Sequence, residues 1–408
     1  MVSPPSALTT FILFLAFEKR IDIIGRLTVS TTEVAILSIA ITCLITRSKD
    51  IIKRFAMFLP LIAFILWIIV VSTISMDNLS TFKQGIRYIE GFLIFFVLYI
   101  LIDRIDSEWI NRIFLPIAIV ISLIGIIQVF SPAIRQVFPP PQNNQPAIFV
   151  HDMVRAYSTF DHPNYLGIFL IPPMLLTIGL FLTSRKSYSG FVNLFILIST
   201  IFLTLSRGTW LILFVFVIIA LCFIAKRYRV YASKLLILIV IIFVTTSTLL
   251  IIPTTRDNLI RRVEMSKPGE QSYLDLQRIQ NFKAAFTMIE EKPITGWGAF
   301  SDNLIYMKEI GQRYSIVDFG KNIWGWANNI YLQVAVDFGI VGLILFMIMI
   351  IQIIIIAKKN ISRRSIISQI LFISFIALLC RGLMETLLAR SLFIYTTTIL
   401  LISNKVKQ

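Results

Sequence analysis

Residues 330–356 read IYLQVAVDFGIVGLILFMIMIIQIIII, a run in which Asp337 is the one charged residue. A helix needs about 20 mostly apolar residues to cross the hydrocarbon core of a bilayer, so this run is long enough. The composition of the whole chain agrees: of 408 residues, 57% are hydrophobic and 15% are charged, and the mean hydropathy is +0.84. Soluble domains carry about 25% charged residues. The composition therefore excludes an ordinary soluble enzyme, a disordered chain and a disulfide scaffold, and it predicts an all-α polytopic membrane protein.

The same criterion predicts about 12 transmembrane helices in the chain. They fall near residues 6–17, 27–46, 55–75, 87–102, 113–130, 165–183, 191–206, 208–224, 235–252, 330–356, 366–383 and 385–403. The first run is short and ends before Glu18, as the apolar part of a signal peptide would. No small-residue cleavage site follows it, so we interpret it as a retained helix.

Basic residues predict how these helices are oriented, because cytoplasmic loops of membrane proteins are enriched in Lys and Arg. If the long segment 253–329 is external, the loops on the other side and the C-terminus hold 18 of the 38 Lys and Arg residues. Both termini are then cytoplasmic. The net charge of +16 is explained in this way, and nucleic acid is not expected as a partner.

These assignments divide the chain into three parts. An N-terminal transmembrane bundle at 1–252 has about nine spans and an external loop at 131–164, which is rich in Pro and Asn. A large external loop follows at 253–329, and C-terminal transmembrane helices occupy 330–408. A loop as long as 253–329 has, as a rule, a function or structure of its own.

The large external loop is predicted to be partly helical, because apolar residues recur there at steps of three and four. These residues are Ile279, Phe282, Phe286 and Ile289. Pro293 and the Gly-Trp-Gly turn after it indicate that the helix ends near residue 291.

Eight ionisable residues lie at membrane depth in this topology. They are Glu33, Arg87, Glu90, Arg207, Asp337, Arg381, Glu385 and Arg390. Such residues cost several kcal/mol unless they are paired or line an aqueous cavity, so each is a candidate functional residue. We interpret Arg87 and Glu90 as a pair on one helix face, and Asp337 as a structural residue.

Arg207 lies in the sequence TLSRGT at 204–209, between two apolar runs that are each barely long enough to span a bilayer. The two helices must therefore turn tightly, with Arg207 at the outer membrane face. One interpretation is an arginine that caps a helical hairpin. The other is a fixed guanidinium that binds phosphate, because its planar fork pairs with two phosphate oxygens at once.

Three other places also have a structural and a functional interpretation. Arg278, near the start of the predicted external helix, is either a solvated helix residue or a functional one. Glu385 follows Arg381 and precedes Arg390, so it is either a partner in buried ion pairs or a general base. His162 is either a turn residue or a base.

Several kinds of site are missing from the sequence. It has no Walker-type glycine loop, no dinucleotide fingerprint, no Cys-x-x-Cys and no external cluster of Asp, Glu and His with metal-ligand spacing. The three cysteines, Cys43, Cys222 and Cys380, lie far apart in apolar runs and are interpreted as small core residues. No cofactor and no metal are expected, and phosphate chemistry would depend on arginines.

Four stretches follow one another between residues 158 and 345. They are STFDHPN at 158–164, LSRG at 205–208, Arg278 with Asn281, Ala284 and EKPITGWG at 291–298, and NNIYL with DFGIVG at 328–342. In this order, and with one large external loop among many spans, the chain resembles the O-antigen ligase and O-antigen polymerase superfamily of bacterial membrane glycosyltransferases.

The resemblance implies an enzyme of the bacterial plasma (inner) membrane whose donor is a glycan linked to undecaprenyl diphosphate at the outer face. It implies catalytic roles for Arg207 and Arg278, which would hold the donor's diphosphate. A sugar hydroxyl of the acceptor then attacks the anomeric carbon, and undecaprenyl diphosphate leaves. Guanidinium groups can stabilise the negative charge of this leaving group without a metal. The implied partners are the lipid-linked donor, the glycan acceptor and the bilayer, and a chain-length regulator is a further candidate.

One position departs from the ligase pattern. Ligases of this superfamily carry a histidine directly before the asparagine at position 329, and here that position is Asn328. Its amide cannot take up a proton at neutral pH. We therefore predict a polymerase that joins repeat units at the non-reducing-end hydroxyl of a lipid-linked acceptor. For a general base, Glu385 is the first candidate, followed by Asp318 and His162.

The predicted substrate-binding residues are Asn164, Asn328, Asn329, Arg390 and His162. Asn164 is also expected to cap the helix that follows it. Two alternatives stay open: a ligase that transfers finished glycan to a lipid or protein acceptor, and a polysaccharide or lipid transporter. The 77-residue segment 253–329 and the lack of a detected internal repeat favour an enzyme over a transporter.

Overall fold

The computed structural model describes most of the membrane-embedded part of the chain. The described residues are 8–9, 12–13, 20–24, 27–75, 77–103, 105–139, 149–150, 153–183, 188–227, 232–251, 256, 260, 273–299, 327–361, 365–385, 395, 398–399, 401–402 and 405–407. Asp318 and Arg390 lie outside this set, as do the side chain of Arg278 and most of the predicted spans at 6–17 and 385–403.

Within the described residues, helices of 16 residues or more dominate the fold. They are α1 (Thr31–Thr46), α2 (Leu59–Ile74), α3 (Asn78–Leu101), α4 (Leu115–Phe130), α5 (Pro163–Thr183), α6 (Tyr188–Leu203), α7 (Arg207–Arg227), α8 (Ala232–Ile251), α9 (Tyr273–Glu291), α10 (Ile330–Asn360) and α11 (Ile366–Arg381). Shorter helical segments are Ser48–Lys53, Ser107–Trp109, Pro132–Val137, a 3₁₀ turn at Phe55–Phe58 and a π-helical turn at Ile110–Phe114.

Three small strand pairs accompany the helices. β1 (Arg20–Ile24) pairs antiparallel with β2 (Leu27–Ser30). β3 (Ile105–Asp106) pairs in parallel with β6 (Val406–Lys407), and β4 (Phe149–Val150) pairs antiparallel with β5 (Met153–Val154).

The predicted class, an all-α polytopic membrane protein, is confirmed. Six helices of the described part are long and apolar enough to cross a membrane: Phe55–Ile74, Asn78–Leu101, Ile110–Phe130, Pro163–Thr183, Arg207–Arg227 and Ile330–Asn360. Four shorter apolar helices are Glu33–Thr46, Ser189–Leu203, Lys234–Thr245 and Ile366–Arg381. The total of twelve spans stays a prediction.

Helix α5 is the centre of the bundle and is buried along nearly its whole length. It packs against α11, α6 and α7, while a second group joins α2, α3 and α10. In that second group, the rings of Phe64, Tyr88, Phe92, Phe338 and Phe346 contact one another edge to face or tilted. Such aromatic pairs add to the stability that comes from burial of apolar area.

Helix α10 is broken at Gly339, where φ is +67° and ψ is −174°. A side chain at this position would be strained by the backbone conformation. It would also run into the backbone carbonyl of Ile294, because the two chain segments touch there. A break frees backbone groups that must find other partners inside a membrane. One of them, the carbonyl of Phe338, accepts a hydrogen bond from the indole of Trp67 at 2.8 Å.

The segment 292–298, which follows the external helix α9, fills this break. Its hydrogen bonds run from Trp297 N to Val336 O (2.8 Å), from Gly298 N to Asp337 O (3.0 Å) and from Ile340 N to Pro293 O (2.7 Å). The stretch that directly follows α9 is therefore joined to α10 by backbone contacts. Hydropathy gave no sign of this break, because apolar residues predominate on both sides of Gly339.

The two ends of the bundle differ in composition. At one end, Arg54 and Lys405 lie over the ring of Tyr99, at 5.4 and 4.2 Å from its centroid, and Asn360 Nδ2 donates to the Tyr99 hydroxyl. Arg47 pairs there with Asp103 at 3.2 Å. The opposite end holds the turn before α7, the start of α5 and the end of α11, and we call it the junction end.

Two local expectations are corrected, and the packing of α9 is now defined. Helix α3 begins at Asn78 rather than near 87, so Arg87 lies inside it and donates to Gln84 Oε1 at 3.0 Å. Cys222 is exposed and is not a core residue. In α9, Ile279 and Phe286 are exposed, and Asn281, Ala284, Ala285 and Met288 are buried.

Candidate functional site

The predicted tight junction before Arg207 is present at the junction end. Helix α6 ends at Leu203 and α7 begins at Arg207, so only three residues connect them. Leu205 makes the turn with φ +49°. Arg207 thus opens α7, where the free N–H groups and the helix dipole favour an anion.

Arg155 lies beside this turn and is almost completely buried, with 4% exposure. Its Nε donates to the carbonyl of Thr204 at 2.8 Å, and its Nη2 donates to Asn164 Oδ1 at 3.1 Å. The next residue, Ala156, donates its backbone N–H to Leu203 O at 2.9 Å. Arg155 therefore ties the turn before Arg207 to the start of α5. We did not single it out from the sequence, where it is one basic residue in an external loop.

Asn164 and Glu385, both predicted as site residues, are brought together although 221 positions separate them. Asn164 Nδ2 donates to Glu385 Oε2 at 2.8 Å. Arg381 Nη2 lies 3.4 Å from the same oxygen. All three side chains are buried, and Arg381 is only 1% exposed. The ion pair between Arg381 and Glu385 agrees with the structural interpretation of these charges.

The four residues Arg155, Asn164, Arg381 and Glu385 form one connected group, which we call the buried arginine cluster. It contains two guanidinium groups and one carboxylate, so positive charge is in excess. Arg381 reaches the start of α7, because a Cβ placed on Gly208 would lie 3.1 Å from its Cζ. The cluster and the N-terminus of α7 thus form one cationic region at the junction end of the bundle.

His162 acts as a turn residue. Its Nδ1 accepts a hydrogen bond from the backbone N–H of Asn164 at 3.0 Å, and its carbonyl accepts from Tyr165 N at 2.9 Å. Helix α5 begins at Pro163. The cap of this helix is therefore His162, and the expectation that Asn164 caps it is wrong.

Asn328 and Asn329 lie where the described chain re-enters the membrane. Asn328 has φ +50°, a conformation that Asn tolerates better than most residues. Asn329 caps α10, since its Oδ1 accepts from Tyr331 N at 2.9 Å and from Leu332 N at 3.1 Å. Ile330 N donates to Gly382 O at 3.0 Å, three residues before Glu385, so this entry lies beside the buried arginine cluster.

Because its side-chain oxygen is engaged in the cap, Asn329→Ala is expected to lower the free energy of unfolding by about 1 kcal/mol. Asn329→Asp keeps an oxygen acceptor and is expected to retain stability. The measurement is thermal unfolding of the purified variants in detergent, alongside glycan transfer. If Asn329→Asp is as stable as the parent but transfers no glycan, the amide contacts substrate and the cap does not explain this residue.

Arg278 lies at the sixth position of α9, which ends at Glu291 as predicted but starts earlier than expected, at Tyr273. The packed face of this helix joins a small apolar cluster of Ala285, Met288, Trp297, Ala327 and Val336. This apolar cluster holds α9 against the part of α10 that precedes Gly339. Among the described residues, no group of three or more His, Cys, Asp and Glu side chains could hold a metal ion.

The many apolar helices, with buried arginines beside a short helix junction, define the class: a polytopic membrane protein with a candidate site for an anionic group at one end of its bundle. Comparison with known families adds an independent observation. Residues 192–347 match the sequence model of the family described as O-antigen ligase. The match confirms the resemblance to the O-antigen ligase and O-antigen polymerase superfamily, and it supports a membrane glycosyltransferase-type enzyme acting on lipid-linked glycans. No curated protein matches the chain.

The matched region includes Arg207, Arg278 and Asn328 but ends before the last described helix. Arg155, Asn164, Arg381 and Glu385 lie outside it. Their assembly into one cluster is therefore an observation from the fold, independent of the family match.

Proposed function

We propose that the protein is a repeat-unit polymerase, which transfers glycan from undecaprenyl diphosphate to the non-reducing-end sugar hydroxyl of a lipid-linked acceptor. The observation that carries the proposal is the buried arginine cluster against the N-terminus of α7. Two guanidinium groups within a membrane-depth site, next to Arg207, suit the diphosphate of a lipid-linked donor. Charges at this depth also suit a substrate that enters from the lipid.

The reaction forms a bond between the acceptor oxygen and the anomeric carbon, and it breaks the bond from that carbon to the diphosphate. Arg207 and Arg278 hold the diphosphate, where fixed guanidinium groups stabilise the charge that develops as it leaves. Glu385 takes the proton of the attacking hydroxyl. Both hydrogen bonds from Asn164 and Arg381 end on its Oε2, which fixes the carboxylate in place. The proposal uses no cofactor and no metal.

The site lies at the outer face of the bacterial plasma membrane, with both termini cytoplasmic. The opposite end of the bundle supports this orientation, because Arg47, Arg54 and Lys405 gather there. Cytoplasmic ends of membrane proteins are enriched in such residues. Asn164, Asn328, Asn329, Arg390 and His162 remain our candidates for substrate contacts. The three-part division of the chain and a chain-length regulator as partner belong to the same proposal.

A ligase is the second candidate, since the family model that matches carries that description. Asn328 favours the polymerase, because an amide cannot serve as the base that the corresponding histidine of ligases could supply. The two activities differ in the acceptor. A polymerase extends a second copy of its own substrate, whereas a ligase needs a different lipid or a protein.

The test is transfer by purified protein given one lipid-diphosphate-linked repeat unit, without ATP and with a metal chelator. We expect a ladder of products on a gel. Transfer only when a separate lipid or protein acceptor is supplied would identify a ligase. If neither occurs while labelled lipid changes leaflet in proteoliposomes, the enzyme proposal is wrong and the protein is a transporter.

A further inference from the structure

Asp337 is completely buried in α10, two residues before the break at Gly339. Its carboxylate accepts hydrogen bonds from the Tyr88 hydroxyl at 3.0 Å and from Gln333 Nε2 at 2.9 Å. An acidic side chain within a membrane span is energetically costly, so it is a candidate functional residue. The proposed chemistry at the buried arginine cluster does not use this residue.

Gln333 links Asp337 to Ala327, the first described residue after 300–326. It is 4% exposed, and its Oε1 accepts the backbone N–H of Ala327 at 2.9 Å. Ala327 is the residue directly before Asn328. Because an amide side chain has one acceptor and one donor end, the hydrogen bond to Asp337 fixes which end of Gln333 faces Ala327.

The chain before residues 300–326 is also held at Asp337. Gly298 N donates to the Asp337 carbonyl at 3.0 Å, and Ala299 N donates to Thr81 Oγ1 at 3.1 Å. Gly298 and Ala327, which lie on either side of residues 300–326, are thus both joined to Asp337, directly or through Gln333. The apolar cluster of Trp297 and Ala327 packs between these two anchor points.

We propose that Asp337, acting through Gln333, is a positioning residue for glycan transfer. It holds Ala327 and thereby places Asn328 against the buried arginine cluster, next to the contact of Ile330 N with Gly382 O. This inference rests on the proposed function, because it assigns a role in that reaction. The role is to position Asn328, a candidate for substrate contact, so it differs from the diphosphate binding assigned to Arg207 and Arg278.

The experiment compares four variants of the full-length protein. Gln333→Met keeps the length of the side chain and removes both of its hydrogen bonds, and Asp337→Leu removes the anchor of Gln333. Asp337→Asn is the conservative variant: its Oδ1 can accept from Gln333 while its Nδ2 donates to the Tyr88 hydroxyl. Tyr88→Phe is the matched control, because it removes a buried hydrogen bond to Asp337 without touching Gln333 or Ala327.

Two readouts are measured on each variant: hydrogen–deuterium exchange of peptides that include Ala327, and kcat and donor KM for transfer. Gln333→Met and Asp337→Leu are expected to speed exchange and to lower kcat, each by about fivefold or more, as the loss of one buried hydrogen bond implies. Donor KM is expected to change little. Asp337→Asn and Tyr88→Phe are expected to match the parent in both readouts.

Other results would overturn the inference. Unchanged exchange in Gln333→Met would mean that this residue does not hold Ala327. Faster exchange with unchanged kcat would mean that the held position has no role in transfer. Equal damage by Tyr88→Phe would show a general loss of packing. A parent protein that transfers no glycan would refute the proposed function itself, and the exchange data would still decide whether Gln333 holds Ala327.

Discussion

Replacing Arg207 or Arg278 with Ala is expected to lower the rate of glycan transfer by about 100-fold or more, because losing one preorganised donor to developing negative charge has an effect of that order. Arg207 begins α7 beside Gly208, whose backbone lies against the guanidinium of Arg381. Arg207→Ala therefore removes a positive charge from a region where the N-terminus of α7 and the guanidinium of Arg381 are also positive. Arg→Lys is expected to rescue little, because an ammonium group cannot form the bidentate contact with phosphate.

The measurement is the initial rate with a lipid-diphosphate-linked repeat unit, at matched amounts of purified protein. Arg54→Ala is the matched control: Arg54 is an arginine of the opposite end, where it lies over the Tyr99 ring. Its loss is expected to leave transfer unchanged. Normal rates in both Arg207→Ala and Arg278→Ala would show that these residues do not hold the diphosphate.

The class of the fold could be predicted from the sequence because hydropathy is a local property. A helix in lipid satisfies its own backbone, so twenty apolar residues are enough to predict one. The three-residue turn before Arg207 followed from the same reasoning, since two short runs leave room only for a tight connection. The end of α9 at Glu291 followed from Pro293, which cannot continue a helix.

The break of α10 could not be predicted in this way. Gly339 lies in a run that is apolar except for a few residues such as Asp337, and its conformation depends on backbone donors and acceptors supplied by residues 292–298. The packed face of α9 was not predicted from the sequence either. Its large apolar residues Ile279 and Phe286 stay exposed, whereas the smaller Ala284 and Ala285 allow close packing.

The candidate site was predicted only in part, because its residues meet through packing between distant helices. Asn164 and Glu385 were both selected, but nothing in their local sequence joins one to the other. Arg155 was missed, since a buried arginine in a loop has the same local pattern as a solvated one. Its proximity to Asn164, nine residues later and just before a span, was the only available signal.

Glu385→Gln is expected to lower transfer by about 100-fold or more while the protein stays folded, because removing a general base has an effect of that order. The glutamine carbonyl can still accept the hydrogen bond from Asn164, so the connection between α5 and the end of α11 is retained. Transfer near the parental rate would mean that another group takes the proton.

Substitution of its partner Arg381 distinguishes a structural role of the Glu385 carboxylate from a chemical one. Arg381→Met leaves the buried carboxylate of Glu385 without its cation, and breaking such a pair costs about 3–5 kcal/mol. Adding Glu385→Gln removes the buried charge, so the double variant is expected to recover most of the stability lost in Arg381→Met. Thermal unfolding of the parent, both single variants and the double variant measures this coupling. The double variant is expected to be stable and inactive. If it recovered transfer along with stability, Glu385 would serve only to neutralise Arg381.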